Sequence, residues 1–424
     1  MVSTPAHSPE RVASIQRRTV GVLSGAQVVG GLGAGAALSV GALLVRDVSG
    51  SSAWAGLATT MLTLGSALLA LPLAALASAR GRRPALATGW LLAAAGALVV
   101  VAGAQLDATW LILAGLFVVG ANTATNLQSR YAATDLAQPL HVGRALSLVV
   151  WATTIGSVIG PNLTEVGART ADMLGIPDLA GPFAIAAVGF AATAVLTGLA
   201  LVPDPLRVAK SLRPEVVDGV STRPRMRDAW PVLRVNAAAR TGVVSVSGAH
   251  ALMVAVMAMT PVHMADHGSS LTIIGLTISL HIAGMFALSP VMGILADRWG
   301  RGRTIVLGQA LLLLATLVAG TAGESETRMI VGLTLLGLGW SASTIAGSSL
   351  IAQAVPTEMR PPVQGASDFV MSLGGALGGL LAGVIIAMWG FGPLNLVAAF
   401  LTVPAIRMVR AGRHHVARPG RLVP

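Results

Sequence analysis

Apolar runs of about 20 residues, the length that crosses a ~30 Å hydrocarbon core, recur from one end of this sequence to the other. They fall at 19–45, 54–77, 85–104, 109–129, 145–167, 181–202, 239–262, 271–295, 304–323, 329–353, 366–388 and 392–409. Runs this long must satisfy their backbone groups internally, so each is expected to be a helix. They are too long and too uniformly apolar for the alternating strands of a membrane barrel. The expected fold class is therefore an all-α membrane protein with twelve transmembrane helices. Only 11% of residues are charged, against roughly 25% in soluble domains, which excludes a soluble enzyme. No enzymatic activity is expected.

The formal charge of +11 comes from 28 basic residues placed mostly between the apolar runs. That placement reads as topology, so no nucleic-acid partner is expected. Arg80, Arg82, Arg83, Arg144, Arg298, Arg301, Arg303 and Arg360 share one side with the two basic termini, whereas the opposite loops hold only Arg46, Arg169 and Arg328. The positive-inside rule then puts both termini in the cytoplasm, in a multi-pass protein of the inner cell membrane. The stretch Met1–Arg18 lacks a convincing cleavage site, so the first run is read as a retained helix. The chain has no cysteine, which removes disulfides and thiolate ligands.

One long polar segment, 203–238, carries Pro203, Pro205, Pro214, Pro224 and Pro231. It is read as a cytoplasmic linker between an N-terminal six-helix half, 1–202, and a C-terminal six-helix half, 239–424. The halves look like pseudo-repeats. Arg80-Gly81-Arg82-Arg83 recurs as Trp299-Gly300-Arg301-Gly302-Arg303, with Pro72 and Pro290 before them. Parallel repeats flanking a site near the bilayer midplane are a transporter architecture. No phosphate-binding loop for ATP is present, which favours a secondary transporter over a pump.

The run Gly293-Ile294-Leu295-Ala296-Asp297-Arg298-Trp299-Gly300-Arg301 resembles the G-x-L-A-D-R-x-G-R signature of the major facilitator superfamily. It lies in the loop where that family carries it, and the resemblance covers nearly the whole chain. In the first-half copy, Ser78 and Ala79 replace the Asp-Arg pair. The resemblance implies a conformational latch formed by Asp297, Arg298, Gly300 and Arg301. Asp297 would cap a helix N-terminus and pair with an inner-loop arginine.

Ionisable and polar groups at bilayer depth are where function is expected. Asn122, Asn126 and Arg130 form an i, i+4, i+8 row on the fourth span; they either line the cavity or, for Arg130, snorkel to the surface. Asp135 and Asp368 are placed near inner helix ends. Gly156-x3-Gly160-Pro161 is read as helix packing with a kink, although it also resembles part of an exporter element.

His250 and His281 lie at mid-depth. Counting at about 1.5 Å per residue puts His281 ~15 Å below Leu271 and Met253 ~14 Å below Val262. Met253-x3-Met257 places two thioethers on one face of the seventh span, and His281-x3-Met285 pairs an imidazole with a thioether on the eighth. Thioether and imidazole without a carboxylate form a soft ligand set that favours Cu(I). Methionine also fills gaps in packed helices. The joint arrangement closely resembles the CcoA-like copper importers of the same superfamily, which implies Met253, Met257, His281 and Met285 as copper ligands. Those importers also use cysteines, which this chain lacks. The broader family includes importers of small organic molecules such as flavins, so a proton-coupled organic-solute transporter, with His250 or His281 carrying the proton, stays open beside copper. The expected partners are the bilayer and a small solute or metal ion. No cofactor is expected, copper being cargo, and the expected state is a monomer. His263-x3-His267 with Asp266 is read as an ordinary polar loop, and His414-His415 as a membrane-surface contact.

Overall fold

The computed structural model describes residues 8–50, 52–159, 164–212 and 225–416. In chain order its helices are α1 (Pro9–Ser49), α2 (Ser52–Arg80), α3 (Arg82–Gln105), α4 (Thr109–Val119), α5 (Ala121–Ala132), α6 (Val142–Ile159), α7 (Thr164–Leu174), α8 (Gly181–Ala200) and α9 (Pro205–Ser211). They continue with α10 (Ala229–Val235), α11 (Ala237–Asp266), α12 (Leu271–Phe286), α13 (Ser289–Arg298), α14 (Arg301–Gly320), α15 (Glu326–Ala354), α16 (Arg360–Trp389), α17 (Phe391–Ala399) and α18 (Thr402–Val416). No strand occurs among the described residues. Helix starts follow side-chain caps: Ser8, Ser270 and Ser325 each accept the backbone N–H three residues on, which satisfies a donor the helix cannot.

Ten helical segments among the described residues are long and apolar enough to cross a membrane. The expected spans at 19–45 and 145–167 are not among those ten. The first lies within α1; the second takes in most of α6, the start of α7 and residues 160–163. Residues 160–163, and with them Gly160-Pro161, lie outside the described residues, as do 1–7, linker residues 213–224 and the side chains of His414 and His415.

The chain forms two compact units. One comprises 1–139, 145–229 and 356–373; the other comprises 140–144, 230–355 and 374–424. The first unit thus takes in the start of α16, and the second takes in the residues that lead into α6. In the first unit, the core gathers Trp90, Ile112, Leu116, Phe183 and Phe190 from α3, α4 and α8. Trp90 and Phe190 stack with ring centroids 5.8 Å apart. Here the start of the expected linker is a packed helix: Val208 and Ala209 of α9 are buried with Ile15 and Leu136. In the second unit, Leu252, Leu312, Leu333, Leu336, Trp340 and Phe391 form the core.

The sequence repeat has a physical counterpart in each unit. A Cβ at Gly96 of α3 would stand 2.6 Å from the Val119 nitrogen, and one at Gly339 of α15 would stand 2.8 Å from the Leu312 nitrogen. Only glycine lets the α3–α4 and α14–α15 backbones approach that closely. Gly81 and Gly300 occupy matching positions before α3 and α14, at φ +97° and +95°. This is left-handed backbone that L side chains rarely adopt.

Candidate functional site

The Met and His motifs lie in the second unit. Met253 is 6% exposed, in a cluster with Leu333, Leu336 and Trp340 of α15, and Met257 and Met285 pack on the same cluster half-buried. His281 is 1% exposed. Its Nδ1 lies 2.9 Å from the Leu333 carbonyl oxygen. A carbonyl only accepts, so Nδ1 carries a proton, and in the neutral ring Nε2 keeps its lone pair. That Nε2 is buried and has no hydrogen-bond partner among the described residues. An imidazole oriented through Nδ1 with Nε2 unprotonated is the arrangement of a metal-ligating histidine.

His250 is held differently. Trp340 Nε1 donates to its Nδ1 at 3.2 Å, and its ring lies against Gly375 of α16, where a Cβ would stand 2.7 Å from His250 Cδ2. The anchors of the two histidines, Leu333 and Trp340, are two turns apart on α15, roughly 10 Å along the helix. The three methionines share the apolar cluster that contains both anchors.

In the first unit, the α5 row is largely inward-facing: Asn122 is 6% and Arg130 2% exposed, with Asn126 half-buried between them. Arg130 does not snorkel. Its guanidinium donates to Asp368 Oδ1 at 2.7 Å and lies 4.9 Å from the Tyr131 ring centre. Asp368 is fully buried, and its second oxygen has no hydrogen-bond partner among the described residues. Nearby, Arg82 grips Asp135 through two hydrogen bonds of 2.8 and 3.2 Å and also donates to Gln364. Arg360 donates to the Asp135 carbonyl at 3.3 Å. Asp368 is expected near a helix end and Arg82 only as a topological charge; here both are buried in ion pairs. The usable signal was an arginine in one span and an aspartate in another, in segments nearly free of other charge.

Back in the second unit, Asp297 at the end of α13 accepts from the backbone N–H groups of Gly143 and Arg144 at 2.9 and 2.8 Å. These donors open α6, so the carboxylate satisfies free N–H groups at the positive end of a helix dipole. Arg301 approaches the same carboxylate at 3.3 Å. Arg298 is exposed, and Gly300 supplies the left-handed turn that starts α14. His263 stacks on Phe391 at 4.3 Å and lies 4.2 Å from the His267 ring. With Asp266 they border a cavity of about 410 Å³. Among the described residues, no three His, Asp or Glu gather as a metal site.

Residues 23–265 and 242–419 match the family model of the Major Facilitator Superfamily. The chain is 37% identical over 95% of its length to the MFS-type transporter YddS of Bacillus subtilis (strain 168), covering 92% of that protein. It is 30% identical over 93% of its length to the riboflavin transporter RfnT of Brucella anthropi, covering 96% of it. Among solved structures, the human organic anion transporter MFSD10 aligns with TM-score 0.73 at 17% identity, over 95% of this chain and 100% of that one. The proton:xylose symporter XylE aligns with TM-score 0.74 at 13% identity, over 94% and 96%. At these identities the structures speak for the fold alone.

Proposed function

This chain belongs to the major facilitator superfamily and is a multi-pass secondary transporter, and we propose that its cargo is copper, imported as Cu(I) through α11 and α12. The observation that carries this reading is His281, buried with Nδ1 bound to Leu333 and Nε2 left as a free lone pair. It adjoins an apolar cluster onto which Met253, Met257 and Met285 all pack. Three thioethers and one imidazole suit a soft monovalent ion and suit Mg²⁺ or Ca²⁺ poorly. Copper is the substrate, released on the far side, and both termini lie in the cytoplasm. Asp297 and its partners on α6 act as a latch that opens and re-forms during the cycle. Copper accumulation, measured by mass spectrometry in cells with and without the protein, tests the reading. Equal accumulation in both contradicts it.

The 30% identity to a riboflavin transporter over 93% of the chain favours a second reading, a small organic solute moved with a proton. On that reading, Asn122, Asn126 and Arg130 line the path, with His250 or His281 as proton carrier. Uptake of labelled riboflavin in the same cells separates the two: riboflavin accumulation without copper accumulation selects the organic solute.

A further inference from the structure

Arg80, Arg83 and Arg207 border a cavity of about 570 Å³ in the first unit, with Pro84, Ala87, Gly198, Pro203 and Val208 among its other walls. We propose that this cavity is a binding site for the headgroup of an anionic phospholipid such as phosphatidylglycerol.

The charge is available. All three arginines are exposed, and among the described residues none of their guanidinium groups is engaged by a carboxylate. The one acid on the wall, Asp204, is already occupied. Its carboxylate accepts from the backbone N–H groups of Arg83 at 2.7 Å, Leu206 at 3.0 Å and Arg207 at 3.1 Å. Those bonds tie the backbone at Arg83 and Arg207 to one carboxylate and satisfy its oxygens. Guanidinium groups bind phosphate oxygens in pairs, so three of them around one opening recognise a phosphodiester.

The apolar walls decide between a lipid and a free phosphate. Ala87 of α3 and Gly198 of α8 belong to segments long and apolar enough to cross the membrane. From the cavity, both helices continue with exposed apolar side chains: Leu91 is 54% and Val195 57% exposed. A basic opening that leads into an apolar track on membrane-spanning helices matches a lipid, which carries its phosphate at the interface and its acyl chains below. A free anion makes no use of the track. The cavity also lies on the arginine-rich ends of α2 and α3, where anionic lipids of a cytoplasmic leaflet meet the protein.

The test uses the purified, delipidated full chain in detergent, with phosphatidylglycerol, phosphatidylcholine or inorganic phosphate added at equal concentration. Lipid retention is read by native mass spectrometry and protection by the unfolding midpoint. The wild type should retain phosphatidylglycerol over phosphatidylcholine and gain nothing from inorganic phosphate. Arg80→Gln/Arg83→Gln/Arg207→Gln should weaken phosphatidylglycerol retention by about fivefold per arginine and leave phosphatidylcholine retention unchanged. If the triple variant does not fold, Arg207→Gln alone should give the single fivefold step. Equal retention of the two lipids, undiminished phosphatidylglycerol retention in the folded variant, or equal protection by inorganic phosphate would each overturn the proposal.

Discussion

Removing the Asp368 carboxylate leaves the Arg130 guanidinium buried without its counter-charge, and breaking a buried pair in this way costs about 3–5 kcal/mol. Asp368→Leu and Arg130→Met should each lower the thermal unfolding midpoint of the detergent-solubilised protein. The double variant Arg130→Met/Asp368→Leu should be more stable than the sum of the single losses, because it leaves no orphaned charge. Strict additivity would show that the two groups are energetically independent. This pair also marks where sequence reading stops. Arg130 and Asp368 are 238 residues apart, and counting from helix ends gives depth but no partner. That Met253, Met257 and Met285 can face one apolar cluster was legible from spacing, whereas the Leu333 carbonyl that His281 binds was not. A backbone acceptor on another helix leaves no trace in composition.

At the level of elements, the glycine crossings set how closely helices pack. Gly339→Val would force a side chain against the Leu312 backbone, and overpacking of this kind costs about 1–3 kcal/mol. Its folded yield in size-exclusion chromatography should fall, while Gly275→Ala, whose Cβ meets nothing within 4 Å, should match wild type. The contrary order would mean that α14 and α15 are not held together at this crossing. Asp297→Asn removes a charge from the start of α6, where a helix dipole contributes up to ~2 kcal/mol. The expected variant folds normally and transports more slowly; wild-type turnover would remove the latch. The hairpin turns at Gly81 and Gly300 were legible as a repeated Arg-Gly pattern. The burial of α9 was not, because prolines and charges in 203–238 suggest a solvated linker while Val208 and Ala209 supply a short apolar face.

For the whole molecule, the arginine distribution predicts which side each loop faces, and the lack of native cysteine makes that directly testable. A cysteine at Arg227 should resist an impermeant thiol reagent in intact cells, and one at Glu324 should react; the reverse pattern would invert the orientation. Helical class and family were legible because hydrocarbon thickness imposes one run length on every span. Ten of the twelve expected runs meet the length and hydropathy requirement among the described residues, and the fifth crosses 160–163, which lie outside them. Cargo identity rests on ligand atoms rather than on the fold, which similar chains share across different solutes. The most direct measurement is therefore copper accumulation in cells producing Met253→Leu, with His281→Leu alongside. Leucine keeps the volume and apolar character of Met253 and costs little in packing, yet it deletes a thioether. Both variants should reach the membrane at wild-type levels and accumulate no copper above background. Wild-type copper accumulation by Met253→Leu would contradict the account and leave an organic-solute transporter in its place.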